Sequence, residues 1–423
     1  MNKERDNIYD IIIVGGGLSG LYSAYKIHQK YPNYKVLLIE SQNHVGGRIE
    51  TYQSKIYGHV ESGAARFNKK HKHVMKLLQE LGLDKKINKI PAAIGYMPTN
   101  KIIDGESDIK NISKKIIKIA QDTPRQVLQN EIFMDFIKKV LTKDEAQLYY
   151  DSFGYSSELT FMNAYDTTEL IKNHFMSTEF LNLKDGLYEL IERLVEKISK
   201  NKNLKIQTNK RVTNIEYNSQ KKFEITINEK TNEKINSNIC ICTLNKETIE
   251  HFPIFGPIKP LLKYIKNLPL CRIYSKFSLD KETNEPWFQG KTKFTTNNDL
   301  RMVIPMNSQR GTAMISYSDN HYAKSWKKLW DTQGIQAVND RLHKLIIQST
   351  HNPNIPRPQH TKIFYWEHAV AYYGKGFDST TMLEKIRKPY PDIPLYVCGE
   401  NYSEKNNQWM EGALDTVPKI LGL

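Results

Sequence analysis

The sequence predicts an α/β protein of two interleaved domains, one on a largely parallel sheet and one on a mixed sheet, joined by a helical insert. Three observations carry this expectation. The β-branched run Ile11 to Val14 passes through a glycine turn into a helix-compatible stretch and then a second apolar run, Val36 to Ile39. Strand-like stretches alternate with helices from residue 184 onward, whereas residues 107–180 read as helical with few glycines. No repeat or low-complexity linker separates these textures, and 423 residues suit two or three domains, so the domains are expected to share the chain in turns.

The first element, Ile11-Ile12-Ile13-Val14, has the continuous apolar character of a central parallel strand buried on both faces. Gly15-Gly16-Gly17-Leu18-Ser19-Gly20 follows and opens a helix marked by Leu21, Tyr22, Tyr25 and Ile27. Gly15, Gly17 and Gly20 make the spacing GxGxxG, and Glu40 stands twenty residues after Gly20 at the end of the next strand. In that context the glycines admit a pyrophosphate to the helix N-terminus, where unpaired N–H groups attract anions, and the acidic residue suits ribose hydroxyls. The unit is therefore Rossmann-like. The carboxylate of Glu40 disfavours a cofactor phosphorylated at the ribose 2′ position.

Further on, Asn68 is placed to cap a helix whose Val74, Leu77, Leu78 and Leu81 share one face, with Gly82 just past its end. The insert contains apolar helical runs at Ile112 to Ala120 and Ile132 to Leu141. After Lys184-Asp185-Gly186, a helix carries Leu187, Leu190, Ile191 and Leu194. Strands are expected at 205–207, 212–217, 223–227, 239–243, 272–277, 302–305 and 313–317, a helix at 323–345, and a last strand at 395–398. The nucleotide-binding domain then takes residues 8–58, 184–266 and 389–423, the second domain 59–105 and 267–388, and the insert 106–183.

Lysine plus arginine exceeds aspartate plus glutamate by 61 to 46, a net charge of +15, which implies affinity for anions without naming one. Much of it reads as ordinary solvated surface, and no nucleic-acid role is expected. The four cysteines, Cys240, Cys242, Cys271 and Cys398, are too few and too scattered for a disulfide scaffold or a zinc site. Cys240 and Cys242 alternate with isoleucines as small apolar strand residues. The charged start, Met1 to Asp10, has no secretory apolar core, and no apolar stretch is long enough to span a bilayer. A cytoplasmic protein is the expectation. His71 and His73, two residues apart on the expected helix, do not face one another and read as surface residues.

Gly46-Gly47-Arg48 adds a second flexible backbone and a cation shortly after Glu40. With this block, Lys184-Asp185-Gly186-Leu187, Gly399-Glu400 and Trp409-Met410-Glu411-Gly412-Ala413 in order, the chain resembles the flavin amine oxidase family of monoamine, polyamine and L-amino-acid oxidases over nearly its whole length. The resemblance implies FAD. It places Gly15, Gly17, Leu18, Ser19, Gly20, Glu40, Gly47 and Arg48 around the dinucleotide, Val212 at the adenine, Glu400 at the ribityl chain and Met410 at the pyrimidine ring of the flavin. No cysteine occurs in Trp366 to Phe377, where some family members attach the flavin, so noncovalent binding is expected.

On the substrate side, Glu61-Ser62-Gly63-Ala64-Ala65-Arg66-Phe67 resembles the L-amino-acid oxidase segment whose arginine grips the substrate carboxylate. A planar guanidinium suits that grip. Alternatively, Arg66 is a surface arginine among Lys69, Lys70 and Lys72. By the same resemblance Tyr317 gives the carboxylate a second hydrogen bond and Trp409 is an aromatic wall over the flavin. The chain also departs from the family pattern. Arg272 stands where the family has a lysine holding a water near flavin N5, with Lys276 on the same strand face and Lys293 as substitutes. Gln408 replaces a small residue, and Asp415, Thr416 and Pro418 replace a small pair in the last helix.

The resulting expectation is FAD-dependent oxidation of an amine, foremost an L-α-amino acid. Hydride passes from Cα to flavin N5, the imine hydrolyses to a keto acid and ammonia, and oxygen or another acceptor takes the electrons. The alternatives are an amine or polyamine oxidase, another oxidoreductase of the family, or a non-catalytic FAD-binding protein that uses its basic surface for an acidic partner. Oligomeric state is left open by the sequence.

Overall fold

The computed structural model describes residues 8–91, 94–99, 106–176, 179–228 and 233–422. The charged start through residue 7 and residues 177–178 of the expected helical stretch lie outside the described residues.

The chain opens with β1 (Ile8–Val14), α1 (Leu18–Lys30) and β2 (Val36–Ile39), the expected βαβ unit, with β1 and β2 parallel. A hairpin of β3 (Thr51–Ser54) and β4 (Gly58–Glu61) follows, then α2 (Lys72–Glu80), β5 (Ile87–Pro91) and β6 (Gly95–Tyr96). The insert is helical as expected: α3 (Glu106–Gln121), α4 (Arg125–Gln129), α5 (Phe133–Val140), α6 (Lys143–Ser152), α7 (Ser157–Thr160) and α8 (Ala164–Leu170), closed by a π-helical turn over Ile171–Phe175. Its core gathers Ile112, Ile116, Phe133, Ile137 and Tyr149.

Next come β7 (Glu179–Leu183), paired with β5, α9 (Tyr188–Ile198), β8 (Leu204–Gln207), β9 (Val212–Tyr217), β10 (Phe223–Ile227) and β11 (Glu233–Cys242). Two short helices, α10 (Lys246–Ile249) and α11 (Lys259–Leu262), lead into the long β12 (Ile265–Lys276). The rest is β13 (Phe294–Thr295), β14 (Met302–Asn307), β15 (Thr312–Asp319), α12 (Asn320–Thr350), β16 (His360–Tyr373), α13 (Thr381–Arg387), β17 (Leu395–Val397) and α14 (Met410–Leu421). Gly334, at φ 77°, interrupts α12.

Two sheets organise these elements. In the first, β8, β2, β1 and β11 lie side by side and parallel, β17 joins β11 in parallel, and β10 and β9 continue antiparallel. Alternation along β1 and β2 sends Ile11, Ile13, Val36 and Leu38 into a core with α1, α9 and α14, and Ile12, Val14, Leu37 and Ile39 into a core on the opposite face. Cys240 and Cys242 are fully buried in β11, and all four cysteines are free thiols. The second sheet runs β16, β12, β15, β14, β13, β6, with α12 packed against it through Trp326 and Leu342.

Two expectations of detail are corrected. α2 begins at Lys72 with His71 at its N-cap, not Asn68, because the Asn68 Oδ1 accepts from Lys70 N in a turn of its own at 2.8 Å. His71 is 1% exposed rather than a surface residue, since its imidazole bonds His174 of the π-helical turn at 3.1 Å. Among the described residues, no helix is long and apolar enough to cross a membrane.

Candidate functional site

The glycine loops of the first sheet form one cradle. Gly15 has φ 108°, and a Cβ on Gly20 would lie 2.0 Å from the Gly15 carbonyl oxygen, so neither position tolerates a side chain. The second loop docks on the first: Gly46 N donates to Gly16 O at 2.8 Å, and a Cβ on Gly47 would stand 3.2 Å from the Gly17 Cα. Leu18 and Ser19 start α1, whose N-cap Gly17 provides no side-chain cap. The first-turn N–H groups there are left to an anionic ligand. At the end of β2, Glu40 accepts from Gly16 N at 2.7 Å and Gln42 N at 2.8 Å, which fixes its carboxylate against the loop.

Arg48 follows the second loop and ties both sheets together. Its Nη1 donates to Glu400 Oε1 at 2.5 Å and to the Ala369 carbonyl. That carbonyl belongs to an irregular stretch of β16, where pairing with β12 slips between Leu268 and Leu270. Pro269 sits between them and has no N–H to donate, which accounts for the slip. Glu400 follows Gly399, at φ 139°, and its Oε2 accepts from Gln408 N at 2.9 Å. Gln408 itself has φ 73°, a left-handed backbone that glycine adopts at lower cost. Its side chain reaches Met162 Sδ at 3.3 Å. Met410 begins α14 behind Trp409, and no side chain caps that helix. Val212 opens β9 opposite Ile227.

The departures in the last helix find roles in packing. Thr416 Oγ1 accepts from Gly399 N at 3.0 Å, and Asp415 Oδ2 accepts from Ser403 Oγ at 2.9 Å and Asn406 Nδ2 at 2.5 Å. Glu411 caps α2 from outside, accepting from His73 N and Val74 N at 3.0 Å each.

Arg66, Tyr317, Trp409 and Arg272 converge on a second cluster. The Arg66 guanidinium lies 4.3 Å from the centre of the Phe180 ring and 5.8 Å from that of Trp409, and its Nη2 donates to Tyr155 Oη at 3.0 Å. The Tyr155 and Tyr317 rings meet edge to face at 5.3 Å. Arg272, 4% exposed on β12, donates from Nη2 to Tyr317 Oη at 3.2 Å and from Nη1 to the Glu61 carbonyl at 3.0 Å. Burial pushes the Tyr317 phenol up, but Arg272 and Arg66 outweigh it and hold the group below the ordinary tyrosine value. Burial alone dominates at Tyr155, whose phenol is raised.

Trp409 is stacked on two rings, His174 at 4.9 Å and Phe180 at 6.0 Å, and among the described residues its buried indole N–H has no partner. Lys293 joins the cluster with its ammonium 5.7 Å from the Phe180 ring centre. Lys276 does not. It closes β12 opposite His360 and Thr312. Four residues at ~3.3 Å each put it about 13 Å along the strand from Arg272. Sequence reasoning missed Tyr155, Phe180 and His174, which come from the insert and β7, where nothing in the local pattern separates a site residue from an ordinary core aromatic. Among the described residues, no group of three or more potential ligands forms a metal site.

The arrangement thus provides an anion cradle and, beside the start of α14, a cluster of aromatic and cationic side chains. The sequence pattern described as flavin containing amine oxidoreductase matches residues 18–416. An uncharacterized protein of Acanthamoeba polyphaga mimivirus is 24% identical over 97% of this chain and 93% of its own length. An L-amino-acid oxidase of Demansia vestigiata is 27% identical over 46% of this chain, and flavin-containing amine oxidase B of Bos taurus is 33% identical over 21%. These two matches span 35% and 16% of the relatives' own lengths. Among solved structures, cyclohexylamine oxidase from Brevibacterium oxydans superposes with a TM-score of 0.74 at 14% identity, covering 98% of each chain.

Proposed function

Because this chain belongs to the flavin-containing amine oxidoreductase family, we propose that it oxidises L-α-amino acids to keto acids and ammonia. It is an FAD-dependent oxidoreductase with the two-domain α/β fold of that family. The cradle fits the cofactor: Gly15, Gly16, Gly20 and Gly46 leave no room for a Cβ, Glu40 stands at the strand end for ribose, and two helices present N-termini with no side-chain cap. In our reading Gly15, Gly17, Leu18, Ser19, Gly20, Gly47 and Arg48 surround the diphosphate, Val212 the adenine, Glu400 the ribityl chain and Met410 the flavin ring. The flavin is held noncovalently. Held there, FAD would supply the acceptor for a hydride from the substrate Cα, with oxygen as the final electron acceptor.

The chain's own residues supply orientation. The observation that carries the reading is Arg66, packed beside both Phe180 and the Trp409 wall and bonded, among the described residues, to a single hydrogen-bond partner, the neutral Tyr155 hydroxyl. A carboxylate gripped there fixes the adjacent Cα–H, and holding it in one orientation is worth several kcal/mol of barrier, roughly 7–11 in the best intramolecular cases. Trp409 and Phe180 give the grip an apolar flank.

The test is an anaerobic visible titration of the holoenzyme, first with a mixture of L-amino acids and then with polyamines. Bleaching by amino acids alone supports the reading, and bleaching by polyamines alone refutes it. Arg66→Ala is then expected to raise KM for amino acids about 10- to 100-fold, as for loss of a charge-assisted hydrogen bond, with little effect on amines. Equal effects on both would remove the carboxylate role.

A further inference from the structure

Arg66 and Arg272 are two guanidiniums in one cluster, and among the described residues neither forms an ion pair with a carboxylate. Among the described residues, the side-chain hydrogen bonds of Arg66 go to Tyr155 Oη, and those of Arg272 go to Tyr317 Oη and the Glu61 carbonyl, all formally neutral acceptors. Among the described residues the buried Arg272 Nε makes no hydrogen bond within ordinary distance. A buried cation needs an ion pair or a complete set of hydrogen bonds, and Arg272 at 4% exposure has no ion pair among the described residues and an incomplete set of bonds.

The acids close by are engaged elsewhere. Glu61 spends its carboxylate oxygens on Leu187 N at 2.7 Å and Thr51 Oγ1 at 2.9 Å, and burial pushes its carboxyl up to about 7 although those bonds and the Arg272 charge pull it down. Asp319 accepts from Ser156 N at 2.9 Å and Ser157 N at 2.7 Å. Burial raises the Glu158 carboxyl well above its ordinary value, which favours its neutral form. Tyr317 is the one neighbour held below its ordinary value, and its ionisation would set one negative charge against two positive ones. The two arginines are linked through the Tyr155–Tyr317 pair, so a single ligand that answers both carries two anionic groups.

We propose that the substrate is an α-amino dicarboxylic acid, with its α-carboxylate on Arg66 and its second carboxylate on Arg272. This rests on the amino-acid reading above and narrows it. The arginine at position 272 then specifies the side chain, for which a planar fork of donors suits a carboxylate better than a lysine point charge.

The experiment is anaerobic flavin reduction in the holoenzyme with L-glutamate and L-aspartate against L-glutamine, L-asparagine and L-leucine. The acids are expected to half-saturate at concentrations about 10- to 100-fold below their amides, the span of one charge-assisted hydrogen bond. Arg272→Met is expected to abolish that ratio and Arg272→Lys to retain part of it. Because either variant can fail to fold, the unaltered protein gives an independent readout: glutarate should compete with the reducing amino acid at least about 10-fold more strongly than butyrate. Amides equal to or better than acids, or glutarate no better than butyrate, would overturn the dicarboxylate assignment. Reduction by leucine but not by the acids overturns it while leaving the amino-acid reading intact, whereas reduction only by amines without a carboxylate overturns both.

Discussion

His71 and His174 form a hydrogen-bonded chain whose direction the acceptors dictate. The Lys405 carbonyl can only accept, so His174 Nε2 carries a proton at 3.1 Å from it, and the neutral ring offers Nδ1 as an acceptor. His71 Nε2 donates to that Nδ1 at 3.1 Å, and its own Nδ1 accepts from Asn68 N at 3.4 Å. Burial holds His71 down at about 3 and His174 at about 4, so both rings are neutral at physiological pH and His174 stays flat against Trp409. In the unfolded chain both titrate near 6.5, and the unfolded state therefore binds more protons below that value. Their stabilisation is complete above about pH 6.5 and lost as pH falls toward the folded values, by roughly 2 kcal/mol for each ring at pH 5. Urea denaturation at pH 7.5 and pH 5 measures this, and His174→Phe, which keeps an aromatic ring beside Trp409, should flatten the dependence. An unchanged slope in that variant would assign the acid sensitivity to other groups. None of this was legible in the sequence, because the partner of His71 is 103 residues away.

At the scale of elements, runs that bury two faces were legible and paired edges were not. β1 and β2 are apolar at every position from Ile11 to Val14 and Val36 to Ile39, so burial alone identifies them. β16 was not foreseen: its His360, Glu367 and His368 are exposed, and it becomes a strand through pairing with β12. β7 pairs with β5 across the whole insert, a long-range contact with no local signature. The start of α2 was misplaced for a similar reason, since the side chain that satisfies its first N–H groups is Glu411 of α14, not a neighbour in sequence. Glu411→Ala is expected to lower stability by about 1 kcal/mol, the usual cost of a lost cap, and to leave the visible flavin spectrum unchanged. Thermal denaturation followed alongside that spectrum checks both halves, and a bleached or released flavin would show that Glu411 acts on the cofactor instead.

For the whole molecule, the cradle is assembled from segments far apart in sequence: residues 15–20, 40–48 and 399–410. A ligand that spans them binds the folded state alone and stabilises it by about 2.7 kcal/mol at 100 times its Kd. Arg48 is the residue where this coupling concentrates, because it bonds Glu400 beside the first sheet and the Ala369 carbonyl of the second. Noncovalent binding makes the coupling measurable, since acid precipitation should leave all the flavin in the supernatant and so provide apoprotein. All four cysteines are buried, and burial raises the thiols of Cys242 and Cys398 to about 12, which disfavours the thiolate needed for attachment. Titrating FAD into the apoprotein should raise Tm progressively, and in Arg48→Ala the same rise should need at least about 10-fold more FAD, as for one lost charge-assisted contact. If Arg48→Ala instead lowered Tm equally with and without FAD, the residue would join the two sheets without contributing to the cofactor, and the diphosphate role assigned to it would pass to the glycine loops and helix N-terminus alone.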